Sequence, residues 1–361
     1  RDGHRFGFTK QATRMTTMRS VTPLPNGTLP EGTGNSDTSR PSALEKLREY
    51  SDICLMDDEY DTAGVFYPDY TVATTAAIAR AVRLGGDYRG LLGKECREAQ
   101  STPGTLAERT EHAMASMYLD WAREMNVWAQ KGVLVDISPT AHSCDDIIHH
   151  AQETARQLME HGMREDRFMV SVPATVEGLR AVRSLAGVVR CNATCVYSLA
   201  QAVLAADAGA CAVSVGVGDV SDHWRWKTGR EAPAWEDRGV LLCSSVQMTL
   251  RTLEYTGTAT VAAGCRTVAQ VLELAGADCI ALAPWMVHAL ARRDAADVYE
   301  HLPHHARIAA DQYMLRPATL TVWPQDATEL LRQERARTTE CFNNVGRTVS
   351  NAIAPFVRLE A

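Results

Sequence analysis

The chain has 361 residues, 45% of them hydrophobic and 22% charged, ordinary values for a folded globular protein that exclude wholesale disorder and fibrous classes. A net charge of −7 gives no basic field to draw nucleic acid or an anionic membrane, and no apolar run reaches the ~18 residues a spanning helix needs. Ten cysteines without a CxxC, most of them inside apolar stretches, read as buried free thiols in a reducing, cytoplasmic setting rather than as a zinc site or a disulfide framework.

Residues 1–41 are rich in Thr, Ser, Gly, Pro and Asn and bury too little apolar surface to repay ordering, which predicts a flexible N-terminal arm. SALEKLREY predicts a helix with Ser42 as its N-cap, and DICLMDD a buried strand ending in acid. VATTAAIARAVRL reads as helical, and residues 107–129 as a long amphipathic helix. Strands then alternate with helices: GVLVDIS, RFMVSVPA, VVRCNATCV, ACAVSVGVGD, TATVAAGC and DCIALAP are the strands. The segments between them carry helical periodicity, CDDIIHHAQETARQLMEHGM among them, and residues 326–356 predict a final helix or helix pair. Apolar strands separated by helices of this length imply a parallel sheet covered by helices, and roughly eight of them imply a closed (β/α)8 barrel. The expected organisation is an arm over 1–41, a barrel over 42–325 and a helical tail over 326–361.

Chemistry in such barrels sits at the C-terminal ends of the strands. Those ends carry Asp57, Asp58 and, three on, Asp61; then Asp136, Ser171, Asn192 with Thr194, Ser214 with Asp219 and nearby Asp222, Arg266, and Trp285. The rim is therefore acidic, with one arginine and no lysine, and several carboxylates can stay ionised together only around something positive. A Mg²⁺ ion, which prefers hard oxygen ligands, is the simplest candidate. Asp57, Asp58 and Asp61 have the form DDxxD, and Asp145, Asp146 and Glu153 stand at positions one, two and nine of a second run. Both resemble the metal motifs of class I terpene cyclases, although the second has His149 where a hydroxyl is expected.

RFMVSVPATVEGLRA, VVRCNATCVYSLAQAVLAADAG, ACAVSVGVGDVSDHW and TATVAAGCRTVAQVLELAGADCIAL resemble the transaldolase family over roughly residues 48–290. That resemblance implies a (β/α)8 TIM barrel and a Schiff-base lysine on its fourth strand. The lysine position falls at Ser171, and a hydroxyl forms no imine. The family's asparagine falls at Ala76, its glutamate near Ile137 with Asp136 adjacent, and one phosphate-binding arginine at Asp219. Asp57, Asn192, Thr194, Ser214 and a second phosphate arginine, Arg266, are retained. Lys227, in the loop after Asp219, is the one lysine expected on the functional face.

The leading expectation is thus a lyase: a Mg²⁺-dependent, terpene cyclase-like enzyme that ionises an isoprenoid diphosphate. Asp57, Asp58, Asp61, Asp145, Asp146 and Glu153 would hold metal, and Asp57, Asp58, Asp61, Asp136, Asp219, Asn192 and Thr194 would carry the chemistry. Arg266, Ser214 and Ser171 would bind substrate, with Trp224, Trp226 and Trp285 facing a carbocation. The alternatives are an atypical transaldolase or aldolase on a sugar phosphate, a metal-free lyase or isomerase of secondary metabolism, and an inactive binding subunit. A small-molecule substrate is expected throughout, with no nucleic-acid partner, no membrane span and a homodimer as the candidate assembly.

Overall fold

The computed structural model describes residues 41–56, 60–84, 88–298 and 325–357. The predicted arm therefore lies almost wholly outside the described residues, as do Asp57 and Asp58.

Eight parallel strands close into a barrel in chain order: β1 (Asp52–Leu55), β2 (Tyr70–Ala73), β3 (Gly132–Asp136), β4 (Phe168–Pro173), β5 (Cys191–Val196), β6 (Ala212–Gly216), β7 (Ala259–Ala263) and β8 (Cys279–Leu282). The ring shuts through β1 and β8, with Asp52 opposite Cys279 and Leu55 opposite Leu282. Around it run α1 (Ala43–Leu47), α2 (Tyr60–Phe66), α3 (Thr75–Leu84), α4 (Tyr88–Ser101), α5 (Leu106–Trp128), α6 (Cys144–Glu160), α7 (Val176–Leu185), α8 (Leu199–Asp207), α9 (Val217–Thr228), α10 (Arg238–Thr252), α11 (Val268–Glu273), α12 (Pro284–Ala291) and α13 (Gln325–Val357). Ser42 caps α1 in a reciprocal capping box with Glu45, as its position before an apolar-periodic run implies.

Two elements differ from the sequence expectation. Val72 and Ala73 belong to β2, not to a helix over the whole of VATTAAIARAVRL; this short strand is buried and carries no visible alternation. Strand β6 stops at Gly216 and α9 starts at Val217, which places Asp219 in the first turn of a helix rather than at a strand end. Of the helix or helix pair expected for the tail, the structure has the single helix, α13, unbroken between residues 325 and 357.

Side chains alternate along each strand, so every second residue points into the barrel. Cys54, Val72, Leu134, Met169, Val261 and Cys279 form one buried apolar layer inside it. One register step higher the inward positions turn polar: Asp136, Ser171, Asn192 and Ser214. The larger core lies outside the barrel, between strands and helices.

Helix α13 packs against α3, α4 and α5. Val345, Val349 and Ile353 recur every four residues and are fully buried, the spacing of one helix face. Residues Leu331, Glu334, Arg335 and Thr338 repeat at i, i+3, i+4 and i+7 nearer its start, and this face meets the C-terminal mouth of the barrel.

Candidate active site

The barrel mouth holds a cavity of about 430 Å³ lined by both inner layers and bordered by α13. Its walls are mainly apolar, with Met56, Leu134, Ile137, Val261, Ala281 and Leu331 contributing. Most of the polar side chains that the sequence assigns to strand ends meet there: Asp136, Ser171, Asn192, Thr194, Ser214 and Asp219, together with Arg266.

Ser171 lies on β4 and is 4% exposed. Strand register puts it opposite Asp136 on β3 and Asn192 on β5. A directed chain of hydrogen bonds runs through it. The Ser214 hydroxyl donates to Asn192 Oδ1 at 2.9 Å, and Asn192 Nδ2 donates to Ser171 Oγ at 3.3 Å. With its oxygen accepting from Asn192, the Ser171 hydroxyl keeps its own proton to donate, and Ser171 lines the cavity.

Asp136 ends β3 and accepts a hydrogen bond from the Thr75 backbone N–H at 3.3 Å. Burial drives its carboxyl up to about 7; the Thr75 bond opposes the rise and the Glu334 carboxylate adds to it. A carboxyl poised near neutrality and facing a cavity can both give and take a proton.

Asp219 and Arg266 form a clamp. Arg266 Nη2 donates to Asp219 Oδ1 and Nε to Asp222 Oδ2, each at 2.8 Å, while Nη1 donates to the Gly264 carbonyl at 2.8 Å. The Tyr197 hydroxyl donates to the other oxygen of Asp219 at 3.1 Å. Burial opposes the Arg266 charge, but the two carboxylates outweigh it and raise its pKa. The guanidinium is thus already neutralised by two acids, and Asp219 serves as its partner. Gly218 makes the approach possible, because a Cβ there would sit 2.0 Å from the Gly264 carbonyl oxygen and 2.7 Å from Arg266 Cζ.

Strand β5 carries a register shift between Ala193 and Val196, and Cys195 has a φ of 56° in the left-handed region. Regular alternation would hide one of two successive residues; the bulge lets both Thr194 and Cys195 line the cavity. Burial pushes the Cys195 thiol up to about 12, which leaves it un-ionised and a poor nucleophile.

The second acidic motif has a structural role at the start of α6. Ser143 Oγ accepts from the Asp146 N–H at 3.1 Å, and Asp146 accepts from the Ser143 N–H at 3.2 Å, a capping box. Glu153 accepts from Arg156 Nε at 2.8 Å and from Gln157 at 2.7 Å, one turn or more from Asp146, and Asp145 is exposed. These three side chains do not converge on a common point, and among the described residues no group of three His, Cys, Asp or Glu could hold a metal ion. Asp61 falls in α2, its side chain outside the described residues.

The three tryptophans expected to face a carbocation do not line the cavity. Trp224 stacks under the Arg238 guanidinium at 4.5 Å, Trp226 is 80% exposed on α9, and Trp285 is 53% exposed in the first turn of α12. None of the described lysines reaches the cavity either. Lys46 pairs with Glu49, Lys94 with Asp120, and Lys131 with Asp52 at the opposite end of the barrel, while Lys227 is exposed in the last turn of α9.

Sequence reasoning misses the contribution of α13: Leu331, Glu334, Arg335, Arg337 and Thr338 all border the cavity. Arg337 donates to Glu334 at 2.9 Å. The signal is there in the 331, 334, 335, 338 spacing, but spacing alone does not say what a helix face meets.

A family model described as Transaldolase/Fructose-6-phosphate aldolase matches residues 73–344. The chain is 25% identical over 256 residues to a transaldolase of Vibrio parahaemolyticus, covering 70% of this chain and 79% of that protein. It is 23% identical over 249 residues to a transaldolase of Aliivibrio salmonicida, covering 68% and 78% respectively. A match from β2 through most of α13, well over half of the chain, establishes that it belongs to the transaldolase/fructose-6-phosphate aldolase family.

Proposed function

We propose that the chain is an atypical aldolase-type enzyme, a lyase or isomerase that moves a proton beside a carbonyl without forming an imine. Its relatives are named transaldolases, and imine chemistry needs an amine where this chain carries Ser171. The observation that carries the reading is the pairing of Asp136 with Ser171 across β3 and β4, a proton carrier beside a hydroxyl donor on one cavity wall.

In this reading a substrate carbonyl oxygen accepts the Ser171 hydroxyl proton as a hydrogen bond. Asp136, in its carboxylate form, takes a proton from the carbon beside the carbonyl, which releases the C–H bonding pair; where the next carbon carries a hydroxyl it takes that proton instead, the O–H pair forms a new carbonyl, and the C–C bond breaks and releases its own pair. The released electron pair moves onto the carbonyl oxygen as an enolate, where Ser171, held by Asn192 and Ser214, stabilises the developing charge. Return of the proton from Asp136 to carbon completes the cycle. The apolar walls support the raised Asp136 pKa.

A sugar monophosphate, the natural cargo of two-arginine sites, is disfavoured by the clamped state of Arg266. A smaller or more apolar carbonyl compound suits the walls better. The Mg²⁺-diphosphate reading now rests on Asp57 and Asp58, since Asp146 and Glu153 are engaged in capping and pairing.

The test is a turnover screen against fructose 6-phosphate, hydroxyacetone and C10–C20 prenyl diphosphates, the last with and without Mg²⁺, alongside borohydride treatment. The expected result is carbonyl-substrate turnover or proton exchange that borohydride does not trap. A reduced covalent adduct on a lysine, or Mg²⁺-dependent diphosphate release with no activity on carbonyls, overturns the proposal.

A further inference from the structure

Three arginines border the cavity mouth: Arg266, Arg335 and Arg337. Two are consumed by acids. Arg266 is held by Asp219 and Asp222, and Arg337 by Glu334 at 2.8 Å. Arg335 differs. It is exposed on α13 and donates through Nη2 to Nδ1 of His142, in the loop between β3 and α6. Among the described residues no carboxylate stands within ion-pair distance of it.

A guanidinium can only donate, so in this contact Nδ1 of His142 is the acceptor and the ring holds Arg335 at the rim. A guanidinium and an imidazole from separate elements therefore meet on the rim. That point lies between two hollows. Inward is the apolar cavity; outward is a cleft lined by Thr339, Asn343 and Arg347, with Glu340 as its carboxylate.

We propose that Arg335 and His142 form an oxyanion subsite at the cavity mouth, and that the substrate carries a carboxylate or phosphate there with an apolar body reaching inward to Asp136 and Ser171. Arg335 supplies the fixed charge and paired N–H groups, the geometry that suits a carboxylate or phosphate. His142 holds the guanidinium at the mouth. The anion site has thus moved from the clamped Arg266 to the helix that covers the mouth. This inference rests on the functional reading above only in taking the cavity as the substrate site.

The test is calorimetric titration of the full chain with hexanoate and with its neutral isostere, hexanamide, which involves no turnover and so stands or falls apart from the chemistry at Asp136. Hexanoate is expected to bind about tenfold or more tighter than hexanamide, the scale of one charge-assisted hydrogen bond. In Arg335→Ala the preference is expected to vanish while hexanamide binding persists, which shows the cavity intact. His142→Ala should reduce the preference by a smaller factor. Titration with inorganic phosphate distinguishes the two head groups. Equal binding of the two probes by the wild-type chain, a preference that survives in Arg335→Ala, or binding of neither probe overturns the assignment.

Discussion

Asp136 on β3 and Ser171 on β4 are register partners in neighbouring parallel strands, so a carboxyl and a hydroxyl stand side by side on the inner wall of the barrel. One is lifted toward neutral pH by burial; the other ends a hydrogen-bonded chain that begins at Ser214.

Asp136→Asn is expected to separate activity from stability. Turnover should fall by about 10² to 10⁴, the range lost with a general acid or base. Folding holds the Asp136 proton up to about pH 7, whereas the unfolded chain releases it near 3.8. Between those values the folded state binds more protons, so stability is full below the lower value and falls as pH rises through the higher one. The complete loss is roughly 4 kcal/mol, since each tenfold change in the ionisation equilibrium is worth ~1.4 kcal/mol. Asn at this position cannot ionise, so the variant should melt at a higher temperature than the wild type at pH 8 and converge with it at pH 4. Thermal melts at both pH values check this; a variant less stable at pH 8 would count against a costly buried carboxylate.

Ser171→Ala should lower turnover by about 10² to 10³, the effect of losing one oxyanion donor, and lower the melting temperature modestly, because the buried Asn192 amide loses its acceptor. Ser171→Lys should also fold, because the open cavity above Ser171 has room for the longer chain. It should not acquire transaldolase activity, since Ala76 and Asp219 still depart from the family pattern. Strong sugar-phosphate turnover by this single variant would show those departures to be minor.

Asp219→Asn should release one edge of Arg266 and strengthen inorganic phosphate binding by about tenfold, or ~1.4 kcal/mol. Asp219→Arg should strengthen it further by restoring two cations around one site. Calorimetry measures both, and unchanged affinity would mean that the Asp219 pair does not limit Arg266.

Gly218→Ala should destabilise the fold by about 1–3 kcal/mol, the usual cost of overpacking, because its methyl would strike the Gly264 carbonyl and the Arg266 guanidinium. Denaturant unfolding gives the number, and a neutral result would mean that α9 can slide away from β7.

Much of this architecture is legible in the chain itself. The alternation from GVLVDIS to DCIALAP specifies the barrel, because both faces of each strand are buried and the helices between them carry a 3.6-residue period. Asp136, Ser171, Asn192 and Ser214 stand out as strand-end residues on sequence alone. Strand β2 is hidden because four residues give no period to read. Asp145, Asp146 and Glu153 match a metal spacing, yet an acid three residues after Ser143 also fits a capping box, and the local hydrogen bonds take that course. The Asp219–Arg266 pair spans 47 residues and depends on α9 beginning at Val217, which no local pattern announces. Arg335 and His142 are 193 residues apart, and only the docking of α13 joins them.

Proton transfer at the Asp136–Ser171 pair without an imine is tested most directly by solvent-deuterium exchange. A ketone with an anionic tail, 6-oxoheptanoate, is incubated with the protein in D₂O, and loss of the proton signals beside the carbonyl is followed by NMR. The expected result is exchange catalysed by the wild-type chain, reduced by about 10² or more in Asp136→Asn and in Ser171→Ala, and unchanged in protein that has been incubated with the ketone and cyanoborohydride and then freed of both. Exchange equally fast in wild type and Asp136→Asn, or lost after that treatment with a mass gain on a lysine, would contradict it.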